Sequence, residues 1–521
     1  MTLRHVDGRR VGRGPIIAAQ SPSASNDEDV IFGHGREKGE VGPWSAPGAT
    51  RSLGRRFGYL WATFAVSSLG DGFGYGAVPL LALFVDPHPL PVASVAAADT
   101  LPWLVLALPA GALADRFERG RVMAVTNLGR ALVLLTLALL VVSHHIDLLL
   151  LITLVFVNGG ARAVYYSASQ ATVPELVVPQ SFARANGFLS GTEAATEHLG
   201  GPILGTLAFA ITKALPFVAD ATAVGVAGLS LFGFRTHRPE AGPAPGSILD
   251  GVRQLISNRP LRLLVSLLAA LAGLQGLAMG VLVIIATVDW GVPKSLYGLF
   301  LAAGAVGNVP GALLADRIAT RIGNIPTLIA CALVSGLAYL VMASAKGWQL
   351  AGAAFVVVSF AVYAGSVIAN SLRQRLSPRD LMGRVGSAWR GVVWGAVPIG
   401  SLIGGVLAVH GLRLPLTVAG AAQCVVALVI ARPLARSLAA SERAAASADQ
   451  ASAAKGTAVM AFADGTSSNG GPPVTASCDG GAPASASLAS RAVQALPKRR
   501  LHSRAGHGPL YWGRSSRNSR R

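Results

Sequence analysis

Several ionisable side chains interrupt long apolar runs of this chain. A charged group at the centre of a transmembrane helix costs about 2.5–3.5 kcal/mol on insertion scales, so such groups persist because they have a partner or a use. Asp71 lies midway along one apolar run, and Arg130, Arg162 and Arg390 lie in three others. Glu193, Glu197 and His198 share a single run. At 1.5 Å of rise per residue, Glu197 sits about 15 Å from the start of that run at residue 187, near mid-membrane. Glu193 and Glu197 are four apart and so fall on one helix face. Two carboxyls that close repel, which keeps one protonated near neutral pH and lets it exchange a proton. Asp71, Glu193, Glu197 and His198 are therefore the candidates for a proton-coupling site, with Arg130, Arg162 and Arg390 as counter-charges. The competing reading is a fixed salt bridge that never titrates, and for Arg130 and Arg162 individually it is the more economical one. Arg184 and Asp220 fall near run ends, where they reach water and anchor the chain. Gln275 and Asn370 are polar and mid-run, placed to line a cavity or to join helices by hydrogen bonds.

The elements that must carry these groups follow from composition. The chain has 521 residues, 52% of them hydrophobic and only 13% charged, against about a quarter charged in ordinary soluble proteins. That balance excludes a soluble enzyme and a wholly disordered chain, and leaves a polytopic membrane protein with polar ends. Twelve apolar spans reach the roughly 20 residues that cross about 30 Å of hydrocarbon: 57–85, 92–114, 122–143, 148–170, 187–209, 214–234, 261–288, 296–315, 325–344, 348–371, 385–408 and 413–432. An all-α membrane fold of two six-helix bundles is expected. It comprises 57–234 and 261–434, joined by a linker over 235–260 in which Ile248, Val252, Leu255 and Ile256 form the apolar face of an interfacial helix. Residues 1–56 and 435–521 read as disordered polar extensions.

Formal net charge is +19, and its distribution carries the information: +3 over 1–56, +7 over 441–521 and the remaining +9 between them. The even-numbered loops hold fifteen Lys/Arg, including Arg116, Arg119, Arg121, Arg317 and Arg384, whereas the odd-numbered loops hold only Lys213, Lys294, Lys346 and Arg413. Basic loops are retained in the cytoplasm, which predicts even loops and both termini on that side of a cell membrane. The basic tail reads as solvated, and no nucleic-acid partner is expected. Cys331, Cys424 and Cys478 are too scattered for a disulfide framework or a metal site.

The two halves resemble each other. GALADRFERGR at 111–121 is echoed by GALLADRIATR at 311–321, and Gly201-Pro202-Ile-Leu-Gly205 by Val397-Pro398-Ile-Gly400. An even number of spans per half makes the repeats parallel, with a path between them and sites near the midplane. On these residues the chain resembles the major facilitator superfamily of secondary transporters. Gly111, Asp115, Arg116, Arg119 and Arg121, with Asp316 and Arg317 in the second copy, are similar to the family's loop signature, which implies a conformational latch for the outward-open state. Glu118 stands where that pattern has Gly, and Ala312 replaces a Gly in the second copy. Gly191, Gly200, Gly201, Pro202 and Gly205 resemble the Gly-Pro signature of exporters and antiporters, which implies a hinge in span five, matched by Pro398 in span eleven. Ser68-Leu-Gly70-Asp71-Gly72, LPWLVLALPAGALADR (101–116) and Arg184-Ala-Asn186-Gly187 resemble the enterobactin-exporter and macrolide-efflux branch.

The resemblance implies a proton-driven exporter of a small amphipathic molecule, a drug, macrolide-like compound or siderophore, with protons and membrane lipid as its other partners. It implies no cofactor, the proton gradient being the energy source. Uptake or facilitation without protons is one alternative. A membrane-anchored binding or signalling protein acting through its basic tail is another. No Gly-x-x-x-x-Gly-Lys loop, His-Glu-x-x-His pair or Gly-x-Ser-x-Gly elbow supports an enzyme.

Overall fold

A computed structural model describes residues 53–178, 181–234, 236, 248–378 and 381–465, with side chains described except at 107–116, 183, 248–249 and most positions beyond 441. The described residues are helical throughout, with short connections. The first half is α1 (Arg55–Val85), α2 (Pro89–Arg116), α3 (Arg119–Val142), α4 (Leu148–Leu176), α5 (Phe182–Glu193), α6 (Gly201–Ile211) and α7 (Leu215–Leu231). The second is α8 (Ile248–Ser257), α9 (Arg259–Met279), the short α10 (Leu282–Ile284), α11 (Tyr297–Ile322), α12 (Asn324–Ser344), α13 (Trp348–Leu376), α14 (Met382–His410) and α15 (Leu414–Gly465).

Local chemistry explains several boundaries. Asp147 caps α4 by accepting from the Leu150 N–H at 2.8 Å, and Asn258 caps α9 by accepting from the Leu261 N–H at 3.2 Å. Gly323 stops α11 at φ +93°, a left-handed conformation that favours glycine. Ten of the described helices are long and apolar enough to cross a membrane. The fifth and sixth spans meet the criterion less directly. The fifth is a continuous helical path in which α5 passes through a π-helical stretch, Ala194–Gly200, into α6. Pro202 lies at the start of α6, lacks an N–H and would clash with the carbonyl four residues back, and the wider turn relieves that conflict. The sixth, α7, has 17 residues. The expected seventh span ends early, at Met279, and the chain continues through α10 and a second π-helical turn, Ile285–Asp289.

Packing within each half relies on bare backbone. Methyl groups placed on Gly201 and Gly205 of α6 would collide with Gly72 and Phe73 of α1. In the second half, Gly276 of α9 lies against Val397, and Gly400 of α14 lies against the Gly273 carbonyl. Small residues let helices approach to backbone contact, the main source of cohesion where lipid removes the hydrophobic drive. Large apolar side chains point outward instead: Leu132 on α3 is 68% exposed and Leu313 on α11 is 72% exposed. A surface so apolar belongs in lipid rather than water.

The halves meet along α2 against α14 and α6 against α11. Gly405 packs on Leu90 and Ala93 at the start of α2, and Gly298 at the start of α11 packs on the Pro202 carbonyl. These seams draw the halves together at the end that carries the odd-numbered loops. There Arg413 also donates to Asp289 at 2.7 Å, tying α14's exit to the turn after α10.

In the linker, where an interfacial helix is expected, α8 forms; it buries Gly251 and Leu255 against α9 and α14, Asp250 accepts from Arg384 at 3.3 Å, and Ile256 is 59% exposed. Ile248 lies where side chains are not described. Beyond 434, where a disordered extension is expected, α15 stays helical to Gly465. Its Ala-rich composition there has the strongest helix propensity available. By compactness the chain divides at Ser437 into a unit holding both halves and a unit of 438–521. Residues 1–52 and 466–521 lie outside the described residues.

Gly400→Ala should force α14 away from α9, and overpacking of this kind costs about 1–3 kcal/mol. The expected outcome is a lowered thermal unfolding midpoint of the purified protein in nanodiscs, and an unchanged midpoint would mean the two backbones are not in contact.

Candidate functional site

The apolar interior leaves the intramembrane charges one way to persist, which is to meet. Arg130 on α3 is fully buried and donates to Asp71 on α1. The rest of its guanidinium is satisfied by Asn158 Oδ1 at 3.2 Å and Asn127 Oδ1 at 3.3 Å, while Asn127 donates to Ser67 at 3.4 Å. Arg162 on α4 donates to Glu197 on the π-helical turn and also approaches Asp71, at 3.7 Å. One carboxylate thus sits between two guanidiniums, and the second guanidinium is shared with another carboxylate. Four helical elements, α1, α3, α4 and the turn between α5 and α6, are joined by this chain of charges. The turn is held to α1 by a further bond, Thr196 Oγ1 to Ser68 Oγ at 2.9 Å.

The network faces a cavity of about 360 Å³ between the halves. Asp71, Arg162, Glu193, Glu197 and His198 line it from the first half, and Gln275, Asn308 and Arg390 from the second. Its aromatic wall includes Trp103, whose ring lies 5.6 Å from Tyr166 and 6.4 Å from Trp394. A deeper space of about 180 Å³ behind Asp71 is lined by Asp99, Asn158 and Asp220. A third, of about 830 Å³, lies in the second half and shares Gln275, Tyr363, Arg390 and Trp394 with the first.

The structure thus brings together most of the candidates. Asp71, Glu197, Arg130 and Arg162 form ion pairs; Glu193 lines the same cavity without one. The π-helical turn explains the difference, since it changes the helical pitch between the two glutamates. His198 packs edge-on against Tyr75 at 5.6 Å. Gln275 and Asn370 both line cavities. Arg390, expected as a counter-charge, forms no ion pair with a carboxylate among the described residues. Asp220 corrects its sequence reading. It is buried rather than in reach of water, with its Oδ1 lacking a hydrogen-bond partner among the described residues. Asp99 was missed altogether, although its place mid-way along an apolar run is the same signal that marked Asp71. Tyr59 and Trp61 hold helices together by donating to Ser230 O at 2.6 Å and Thr192 Oγ1 at 2.7 Å.

Of the residues expected to form a latch, Gly111, Asp115 and Arg116 lie where side chains are not described. Arg119 bonds Glu175 and the Ala171 carbonyl of α4, and Arg121 pairs with Glu118 at 3.2 Å. Asp316 and Arg317 are exposed on α11. Of the residues expected to form a hinge, Gly201, Pro202, Gly205 and Pro398 are buried in helix seams, while Gly191 and Gly200 have more room. No cluster of metal-ligating side chains occurs among the described residues.

Residues 60–396 match the model of the Major Facilitator Superfamily. The chain belongs to this superfamily. Like its members it is a secondary transporter of small molecules and a multi-pass membrane protein, not an enzyme. The multidrug efflux pump Tap of Mycolicibacterium fortuitum is 25% identical over 355 residues, 65% of this chain and 86% of that protein. The uncharacterised MFS-type transporter YfiS of Bacillus subtilis (strain 168) is 28% identical over 367 residues, 67% of this chain and 86% of the relative. Among solved structures, a bacterial homologue of the iron transporter ferroportin in an inward-facing state superposes with a TM-score of 0.60 at 19% identity, over 74% of this chain and all of that one. A bacterial homologue of the lysosomal transporter Spinster, also inward-facing, gives 0.53 at 15% identity, over 75% of this chain and 96% of that one. At these identities the likeness is one of fold. The broad major facilitator match needs only the loop signature and the repeat, which is why it was readable in the sequence.

Asp71→Asn would leave Arg130 buried without its carboxylate. Removing one partner of a buried pair costs about 3–5 kcal/mol, so a strongly lowered unfolding midpoint is expected. Asp71→Asn combined with Arg130→Met should recover most of the loss. A double variant as unstable as the single one would mean the pair is not what holds α1 to α3.

Proposed function

We propose that the protein is a proton-coupled exporter of small amphipathic molecules working by alternating access. The observation that carries this reading is the sharing of Arg162 between Asp71 and Glu197 in the cavity wall. The Arg130–Asp71 pair, whose arginine is fully buried, is a fixed structural element. Arg162 is 23% exposed to the cavity and can trade partners. Protonating Glu197 removes its hold on Arg162 and leaves the guanidinium to Asp71. Glu197 rides on the π-helical turn directly before α6, and α6 is a helix that closes against α11. Protonation of one acid is thereby tied to the position of a gate. Glu193 and Asp99 supply further proton acceptors on the same cavity, with His198 modulating them. Substrate binding and deprotonation favour one facing state and protonation the other, each by its differential affinity for the two.

Support for export comes from the Gly-Pro pattern at Gly200, Gly201, Pro202 and Gly205, and from the relative that is a multidrug efflux pump. Support for an amphipathic substrate comes from the aromatic lining beside charged groups. The motifs around Ser68–Gly72 and 101–116 favour the enterobactin-exporter and macrolide-efflux branch. The arginine-rich even loops favour the cytoplasmic side for those loops and for both termini, in a bacterial-type cell membrane.

The test is efflux of a fluorescent drug from cells that express the protein, with and without an ionophore that collapses the proton gradient. Efflux should stop with the ionophore, and Glu197→Gln should lose at least tenfold of the dependence of efflux on external pH. Efflux that persists without a gradient would replace this reading with facilitation. Unchanged pH dependence in Glu197→Gln would remove Glu197 from the coupling site.

A further inference from the structure

Two cavity-lining arginines of the second half differ from the paired arginines of the first. Arg130 and Arg162 each bind a carboxylate, but Arg373 on α13 and Arg390 on α14 bind none among the described residues, and both line the 830 Å³ cavity. The Arg373 Nε is buried with no hydrogen-bond partner, and its guanidinium carbon lies 5.9 Å from the centre of the Trp389 ring. Arg390 is exposed to the cavity and Arg373 half-buried beside it; two guanidiniums on one cavity repel each other, and a cavity that holds two cations paired with no carboxylate among the described residues favours an anion. Glu193 belongs to the opposite half and lies beyond ion-pairing distance of both. A planar guanidinium presents forked donors that match a carboxylate. Around the pair, Trp389 and Trp394 offer flat apolar faces, and Gln275 and Asn370 offer hydrogen bonds.

We infer that Arg373 and Arg390 form a binding site for an aromatic organic carboxylate, whose anionic group sits between the guanidiniums and whose ring lies against the tryptophans. The absent counter-charge is the ligand's own. Taken as the substrate site, this deepens the proposed export function and rests on it; the binding itself requires no proton gradient. The first half then carries the titrating acids and the second half carries the recognition of the anion, so cargo and coupling lie on opposite walls of one passage.

The experiment measures quenching of tryptophan fluorescence in the full chain in nanodiscs, in chloride-free buffer, titrated with 1-naphthoate, with its uncharged counterpart 1-naphthamide, and with acetate as competitor. The ratio of naphthoate to naphthamide affinity is the readout. It should exceed ten in the parent and fall to about one in Arg373→Gln and Arg390→Gln, with Arg390→Lys keeping an intermediate ratio. Acetate at equal concentration should not displace naphthoate. A parent ratio near one, an unchanged ratio in both glutamine variants, or displacement by acetate would overturn the proposal, the last by marking a bare inorganic-anion site. If a glutamine variant binds neither ligand, the ratio in Arg390→Lys decides, and a value equal to the parent's overturns it. The affinity ratio is measured without a proton gradient, whereas coupling is read from ionophore-sensitive efflux, so failure of proton coupling and failure of this site are read separately.

Discussion

Pairing of buried charge is the constraint on which the first half depends. Arg130 has no access to water, so Asp71 must stay beside it, and Asn127, Asn158 and Ser67 must complete its hydrogen bonds. Helices α1, α3 and α4 are thereby fixed in both separation and rotation. The same requirement drags the turn between α5 and α6 inward, because Glu197 must reach Arg162. A purely apolar interior would leave these helices free to slide, since lipid and leucine offer each other similar contacts.

The second half solves the same packing problem with backbone rather than charge. Its α9–α14 seam repeats the glycine contacts of α1 and α6, and among the described residues no acid pairs with its cavity-lining Arg373 and Arg390. Two halves of one design have therefore diverged in electrostatics while keeping their architecture. This division of labour, acids on one wall and unpaired guanidiniums on the other, gives the cavity a polarity that a symmetric pair of bundles would lack.

Much of the fold was legible because a bilayer narrows the choices. With no water to satisfy backbone groups, an apolar run of about 20 residues must be a helix. The repeat at Asp115 and Asp316 gave the two halves. The elements that escaped were those where hydropathy and helicity part company. The π-helical turn before Pro202 is as apolar and helical as its surroundings, and only its hydrogen-bond register differs. The helix beyond 434 is polar, so hydropathy ended the span there while propensity carried the helix on to Gly465.

The site divides in the same way. Residue type and depth by themselves determined that Asp71, Arg130, Arg162, Glu193 and Glu197 had to matter, because each carries a penalty in lipid that a partner or a cavity must offset. Partnership was decided only by tertiary structure. Arg130 met Asp71 across 59 positions, and Arg390 pairs with no acid among the described residues. Asp220 looked water-accessible at the end of its run but is covered by α1, where Gly70 lets the helices close over it. Spacing along a chain fixes which groups share a helix face. It does not fix which faces meet, because that depends on how seven or more helices rotate to bury all their charges at once.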